Sequence, residues 1–88
     1  MSYFIEWERE SFEELNNLQQ DIAQRIWEKV DKVKENPFHY LERLKNMPEF
    51  KIRVGDCRII LLVDNINKKL KIQAVGHRKN IYKRYKTD

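Results

Sequence analysis

The sequence predicts an α+β domain in which helices pack on one face of a small antiparallel sheet. Two observations support this fold class. Between residues 22 and 33 the apolar residues recur at steps of three and four, which is typical of an amphipathic helix. From residue 50 onwards they alternate with polar residues or form a continuous run between turn residues, which is typical of strands. Helices followed by a meander of strands indicate this layered arrangement.

The first elements are expected to be a strand and a helix. Residues 3–7 are mostly aromatic and apolar in alternation, which predicts a strand that joins the sheet. Ser11 is followed three residues later by Glu14, the spacing of a capping box. We therefore expect the first helix to begin at Ser11 or slightly before it.

A second helix and a short third one are expected next. From Asp21 onwards the apolar positions mark one face of a helix. This helix should end near Asn36, because Pro37 lacks an N–H and restricts the residue before it. Pro37 is also suited to the first position of a new short helix.

Three strands and a last helical turn fill the second half. The strands are predicted at residues 50–54, 59–63 and 70–75, with Gly55 and Asp56 as a two-residue hairpin turn. Residues 80–85 are expected to form the helical turn. The predicted order is β-α-α-(short α)-β-β-β-(short α).

Composition limits the class of protein. With 88 residues, 41% of them hydrophobic and 36% charged, the chain is expected to fold as one domain over residues 1–88. It shows no apolar run of membrane-spanning length and no signal-peptide pattern, so we expect no membrane partner. Cys57 is the single cysteine, which excludes an intrachain disulfide and favours a cytoplasmic location.

Charge is distributed unevenly along the chain. Residues 1–44 hold 6 Lys and Arg against 10 Asp and Glu, a net charge of −4, whereas residues 45–88 hold 12 against 4, a net charge of +8. This asymmetry indicates a polyanionic partner such as nucleic acid.

The predicted hairpin places three cations together. Lys51 and Arg53 share one face of their strand, and a two-residue turn pairs Arg53 with Arg58 on that same face. Directly opposed like charges destabilise a strand pair unless an anion lies between them. Phosphate suits the planar donor fork of arginine. The alternative is a set of solvated cations on an exposed sheet face.

The segment after the last strand adds an imidazole, a guanidinium and an aromatic ring, in His77, Arg78 and Tyr82. Aromatic rings beside cations suit single-stranded RNA, because bases stack on the rings while phosphates pair with the cations. The remaining candidate RNA-binding residues of this segment are Lys79, Lys83, Arg84 and Tyr85.

The stretch 50–60, followed by residues 75–78 and by Tyr82, resembles the RelE/ParE toxin superfamily, in particular its RelE-like branch. With the N-terminal layout, the resemblance covers nearly the whole chain. It implies the toxin of a type II toxin–antitoxin system, a ribosome-dependent endoribonuclease that cleaves mRNA in the A site without a cofactor. The 2′-hydroxyl would attack the adjacent phosphate. The implied partners are a RelB-like antitoxin, the ribosome and mRNA. A heterotetramer is one stoichiometry that the resemblance allows for the complex of toxin and antitoxin.

The resemblance also implies roles for particular residues. Arg58 and Arg78 would hold the scissile phosphate and stabilise its developing charge. Tyr82 would stack on a base, with Tyr85 as a rival because of the spacing. The catalytic set implied in this way is Lys51, Arg53, Arg58, His77, Arg78 and Tyr82.

The proton acceptor is left open by the sequence. Arg53 is a poor base because its guanidinium stays protonated. Lys51 and His77 are equal candidates, the first if neighbouring cations lower its pKa, the second as an imidazole. We find no carboxylate placed for general-base work. No metal site is expected, since the histidines and Cys57 lack ligand spacing.

Two other functions are compatible with the resemblance. One is a ParE-like toxin that inhibits DNA gyrase without catalysis, and the other is an inactive toxin-fold binding module. Cys57 stands at a position where the superfamily commonly has an aromatic residue, and this difference keeps the inactive module as an alternative. The pair Arg58 and Arg78 favours the nuclease, because a toxin that binds gyrase does not need a set of phosphate-binding residues.

Overall fold

The computed structural model describes residues 2–85, which form five strands and four helices. In chain order these are β1 (Phe4–Trp7), α1 (Arg9–Asn16), α2 (Gln20–Val33), α3 (Pro37–Tyr40), β2 (Glu42–Arg43), β3 (Phe50–Val54), β4 (Cys57–Asp64), β5 (Lys69–His77) and α4 (Arg78–Tyr85). The α+β class predicted from the sequence is confirmed.

One five-stranded sheet contains all the strands, in the order β1-β5-β4-β3-β2. β1 runs parallel to β5, with Phe4 opposite Lys69, and the other neighbours are antiparallel. The prediction that the first strand joins the sheet is therefore confirmed. The sequence does not predict β2, because two residues are too few to show an alternation.

Helices α1 and α2 cover one face of the sheet. Ile26 and Val33 of α2 are at most 1% exposed. Trp27 stacks on Trp7 of β1, with ring centroids 5.7 Å apart and planes 8° from parallel. The strands contribute buried residues to the same core cluster, namely Ile52, Cys57, Ile59, Leu61, Leu70, Ile72 and Val75.

Helix α1 begins at Arg9, slightly before Ser11 as expected, but the predicted capping box is wrong, because Glu8 is the N-cap and no side chain caps the helix. Ser11 is fully buried, and its Oγ lies 2.7 Å from the carbonyl oxygen of Glu8 and 2.8 Å from that of Ile72 on β5. The Glu14 carboxylate accepts the backbone N–H of Val75. Both side chains therefore bind β5, which lies too far along the chain for a local motif to reveal.

Helix α2 ends at Val33, three residues before the predicted end at Asn36. Asn36 has a φ of −151° and is no longer helical. Helix α3 begins at Pro37 as predicted, where the missing N–H removes no helical hydrogen bond.

The hairpin between β3 and β4 has the predicted register. Val54 lies opposite Cys57, and Arg53 lies opposite Arg58. Gly55 has a φ of +58°, which a glycine adopts without the clash that a Cβ atom causes. Residues 55–56 therefore form the two-residue turn that fixes which side chains share a face.

Helix α4 covers part of the other face of the sheet, where the sequence predicts only a single helical turn. Its Ile81 is 1% exposed and belongs to a second apolar cluster with Leu44, Ile60 and Ala74. Tyr82 and Tyr85 pack against this cluster. Lys51 and Arg58 lie near the Tyr82 ring, and Arg53 pairs with Arg58, so the cations of the hairpin share this face. No helix between residues 2 and 85 is long and apolar enough to cross a bilayer.

We expect Gly55→Ala to lower the free energy of unfolding by about 1 kcal/mol, because an L-residue is strained at positive φ. Urea unfolding followed by circular dichroism measures the change. Gly76→Ala is the matched control: a Cβ there meets Ile81 at 3.9 Å, an ordinary contact. Equal effects of the two substitutions would contradict the strained-turn explanation.

Candidate nucleic-acid interface

Arg58 is fixed by hydrogen bonds in a buried position, with 6% of its surface exposed. Its Nε donates to the hydroxyl of Tyr82 over 3.1 Å, and its Nη1 donates to the carbonyls of Gly55 and Cys57 over 2.9 and 2.8 Å. All three acceptors are neutral. Within residues 2–85 no carboxylate forms an ion pair with Arg58, so no neighbouring anion neutralises its charge there.

Lys51 lies beside Arg58 under the same aromatic ring. Lys51 is 7% exposed, and its Nζ lies 5.9 Å from the centroid of the Tyr82 ring. The Cζ of Arg58 lies at the same distance from that centroid. Both distances fall within the range of cation–π attraction, about 6 Å. One tyrosine from α4 therefore covers two cations from neighbouring strands.

Glu42 of β2 lies next to these cations. Its Oε2 accepts a hydrogen bond from Arg53 Nε over 3.2 Å and lies 4.0 Å from Lys51 Nζ. The sequence did not reveal this carboxylate, because β2 has no readable period and pairs with β3 only through the tertiary fold. Glu42 reduces the like-charge repulsion predicted for the hairpin. We call Lys51, Arg53 and Arg58 the basic site.

Arg78 begins α4 next to the hairpin turn. Its backbone N–H donates to the carbonyl of Asp56 over 2.8 Å, which ties the start of α4 to the turn. Its side chain is exposed, as are those of Lys79 and Lys83. These three cations line the solvent side of α4, whereas Lys51 and Arg58 lie beneath it.

His77 lies on the opposite face of the sheet from the basic site. It pairs with Cys57, whose side chain belongs to the core under α1 and α2. His77 and Cys57 line a cavity of about 170 Å³ together with Ile22 and Arg25. The His77 Nδ1 accepts the backbone N–H of Lys79 in the first turn of α4 over 3.2 Å. The structure therefore does not bring His77 together with Lys51 and Arg58.

Arg84 and Tyr85 occupy the end of α4. Arg84 Nη1 donates to Glu14 Oε2 on α1 over 2.6 Å, and its Cζ lies 5.5 Å from the Tyr85 ring centroid. Burial and the nearby Glu49 raise the pKa of the Tyr85 hydroxyl, outweighing the opposing effect of Arg84. Of the two rival tyrosines, Tyr82 is the one whose ring lies over the cations of the basic site.

Cys57 is a buried thiol rather than a nucleophile with an activating partner. Burial, reinforced by Asp56, raises the pKa of Cys57 despite the opposing charge of Arg58. A raised pKa keeps the thiol neutral, whereas the thiolate is the reactive and metal-binding form. Among residues 2–85 no group of three or more His, Cys, Asp or Glu side chains is arranged to hold a metal ion.

The five-stranded sheet with helices on both faces has the fold of RelE toxins. The structure is similar to a chain of the RelBE2 toxin–antitoxin complex from Mycobacterium tuberculosis, at a TM-score of 0.80 and 20% identity over 89% of this chain and 100% of that one. It is also similar to isolated Escherichia coli RelE, at 0.76 and 21% over 94% of each chain. A chain of the Pyrococcus horikoshii RelE–RelB complex matches at 0.75 and 22%, over 89% and 97%.

The sequence places the chain within this class. The model of one family, described as the ParE toxin of the type II toxin–antitoxin system parDE, matches residues 5–82. The chain belongs to this family and is a type II toxin of the RelE/ParE superfamily, as the resemblance implied. No curated protein sequence matches it significantly.

We expect iodoacetamide to alkylate Cys57 in the native protein at pH 8 at least about tenfold more slowly than in the guanidinium-denatured chain, because burial limits access and keeps the thiol neutral. The rate should increase only as pH rises towards the elevated pKa. Mass spectrometry follows the labelling, with Cys57→Ser as the unlabelled control. Equal rates in the native and denatured protein would contradict the burial of the thiol.

Proposed function

We propose that this toxin is a ribosome-dependent endoribonuclease that grips the scissile phosphate of mRNA at the basic site. The observation that supports it is Arg58, a guanidinium held by three neutral acceptors and without a carboxylate ion pair among residues 2–85. A buried charge without a counter-ion is unfavourable, so a fold that keeps one is suited to an anion that arrives with the substrate. The reaction takes place on cytoplasmic ribosomes.

Access to Arg58 requires Tyr82 to move. The hydroxyl of Tyr82 accepts the hydrogen bond from Arg58 Nε, and 6% of the surface of Arg58 is exposed. When a phosphate oxygen replaces this hydroxyl as the acceptor, the Tyr82 ring is released to stack on a base beside the cut. Arg78 enters from the start of α4, and both guanidinium groups then stabilise the charge that develops on the phosphate.

Glu42 is the proton acceptor in this proposal. His77 lies on the other face of the sheet, whereas the Glu42 carboxylate is an acceptor beside the basic site. The Glu42 carboxylate lies 4.0 Å from Lys51 Nζ, and 47% of its side chain is exposed, so RNA can reach it. Glu42 takes the proton of the 2′-hydroxyl, whose oxygen attacks the adjacent phosphorus. The bond to the 5′-oxygen breaks, Lys51 gives that oxygen a proton, and a 2′,3′-cyclic phosphate and a 5′-hydroxyl result.

An antitoxin of the RelB type is the proposed protein partner. The similar structures from M. tuberculosis and P. horikoshii include complexes of toxin with antitoxin. A segment with acidic residues would cover the basic site by charge complementarity and keep RNA away. A heterotetramer is one stoichiometry for this complex.

Gyrase inhibition is the second candidate function, and the description of the matching family as the ParE toxin favours it. A toxin that only binds gyrase has no need of a buried guanidinium set in place for an anion. The third candidate, an inactive binding module, is favoured by the departure at Cys57.

We expect the protein to cut a defined mRNA at codon-phased positions in a reconstituted translation system, with 5′ ends mapped by primer extension. Arg58→Ala should lower the rate of cutting by about 10²- to 10³-fold, the usual effect of losing one charge-stabilising donor. Arg78→Ala, at an exposed position, is a second variant that leaves the core intact.

Arg9→Ala is the control for charge, because Arg9 is exposed on α1 and pairs with Glu13, away from the basic site. Circular dichroism checks that each variant folds. Absence of cuts by the unsubstituted protein, together with loss of DNA supercoiling by gyrase, would establish the second candidate. No effect in either assay would leave the inactive module.

We expect Glu42→Gln to lower the rate of cutting by about 10²- to 10⁴-fold, the range for general acid–base groups. Binding of a non-cleavable RNA with a 2′-deoxy nucleotide at the cut should stay equal or tighten, because a negative charge is removed beside Lys51 and Arg53. Single-turnover kinetics and filter binding separate the two quantities. Unchanged cutting would exclude Glu42 as the acceptor, and Lys51→Ala then tests the remaining candidate.

A further inference from the structure

Glu14 joins three elements through one carboxylate. Its Oε1 accepts the backbone N–H of Val75 on β5 over 3.1 Å, and its Oε2 accepts the guanidinium of Arg84 on α4 over 2.6 Å. Glu14 itself lies on α1. Because the bond to Val75 holds the carboxylate in place against the sheet, the bond to Arg84 ties the end of α4 to the body of the protein.

Helix α4 depends on such anchors, because it has eight residues and buries only Ile81 completely. Isolated helices shorter than about 12 residues are marginal in water. Its start is held by the hydrogen bond from Arg78 to Asp56, and its end by Arg84 and Glu14. Tyr82 lies between these two anchors.

The anchor at Arg84 therefore affects the basic site. Tyr82 covers Lys51 and Arg58 only while α4 lies against the sheet, and the Glu14–Arg84 ion pair favours that position. We propose that Glu14 is a positioning residue that, through Arg84, holds Tyr82 over the basic site and so sets how readily RNA gains access to Arg58. This inference rests on the proposed function for its consequence in RNA binding, but its structural part concerns the free protein.

The same contact changes the role of Arg84. The sequence counts Arg84 among the RNA-binding residues, but its guanidinium is directed at α1 and bound by a carboxylate. As an RNA contact, Arg84 would contribute affinity that is lost on substitution. As an anchor, it restrains α4, and its loss raises the population of the open form and with it the apparent RNA affinity.

The test compares Glu14→Gln and Arg84→Gln with Glu13→Gln. Glu13 is the adjacent residue on α1, and it pairs with Arg9 at 3.5 Å rather than with α4. Hydrogen exchange of the free proteins should show α4 amides exchanging about two- to fivefold faster in the first two variants, the effect of one partly exposed ion pair. Glu13→Gln should match the unsubstituted protein, and Arg84→Lys should retain most of the protection.

Filter binding of the non-cleavable RNA should show a Kd lowered by about the same factor in Glu14→Gln and Arg84→Gln. Unchanged exchange in both variants overturns the positioning role, whatever happens to cutting. Weaker RNA binding by Arg84→Gln with unchanged exchange makes Arg84 an RNA contact instead. If the two variants exchange faster but the unsubstituted protein cuts no mRNA, the positioning role of Glu14 is supported and only the proposed function is contradicted.

Discussion

The register of the β3–β4 hairpin determines what this protein presents on each face of its sheet. Side chains alternate along a strand, so a slip of one residue would exchange the faces of every side chain on it. A slip of β3 against β4 would turn Lys51 and Arg53 into the apolar core under α1 and α2 and Ile52 outwards, so that Arg53 would no longer share a face with Arg58. Gly55, at positive φ, holds the turn at two residues and prevents that exchange.

The basic site shows how the fold holds like charges close together. Arg53 is exposed and paired with Glu42, so solvent and a carboxylate both screen it. Among residues 2–85, Arg58 has no carboxylate partner, and it is buried, with two carbonyls, a hydroxyl and an aromatic ring in contact with its guanidinium. A buried charge held in this way costs stability, and in the proposed function an anion offsets that cost when it replaces the Tyr82 hydroxyl as the acceptor.

Local patterns in the sequence were enough to predict most of the fold. Alternation predicts β3, the spacing of apolar residues predicts α2, and Gly55 predicts the turn, because each depends on neighbours in the chain. The capping box at Ser11 and the end of α2 near Asn36 were wrong. Ser11 is used by β5, and that contact cannot be read from a short motif.

The candidate site was likewise predicted only where it depends on residues that are close together in the sequence. The pairing of Arg53 with Arg58 follows from the turn and is confirmed. Glu42 was missed, because it reaches the cations through a two-residue strand. The anchoring of Arg84 by Glu14 joins opposite ends of the chain and leaves no local trace.

The parallel pairing of β1 with β5 has a consequence for the order of assembly. Phe4 lies opposite Lys69, so the first strand made during synthesis has no partner until the last strand exists. Contacts between such distant segments form slowly, because a long loop must close first. The cover over Arg58 also comes from α4, at the far end of the chain. During synthesis, therefore, β1 stays unpaired until β5 has been made, and the basic site stays uncovered until α4 has been made.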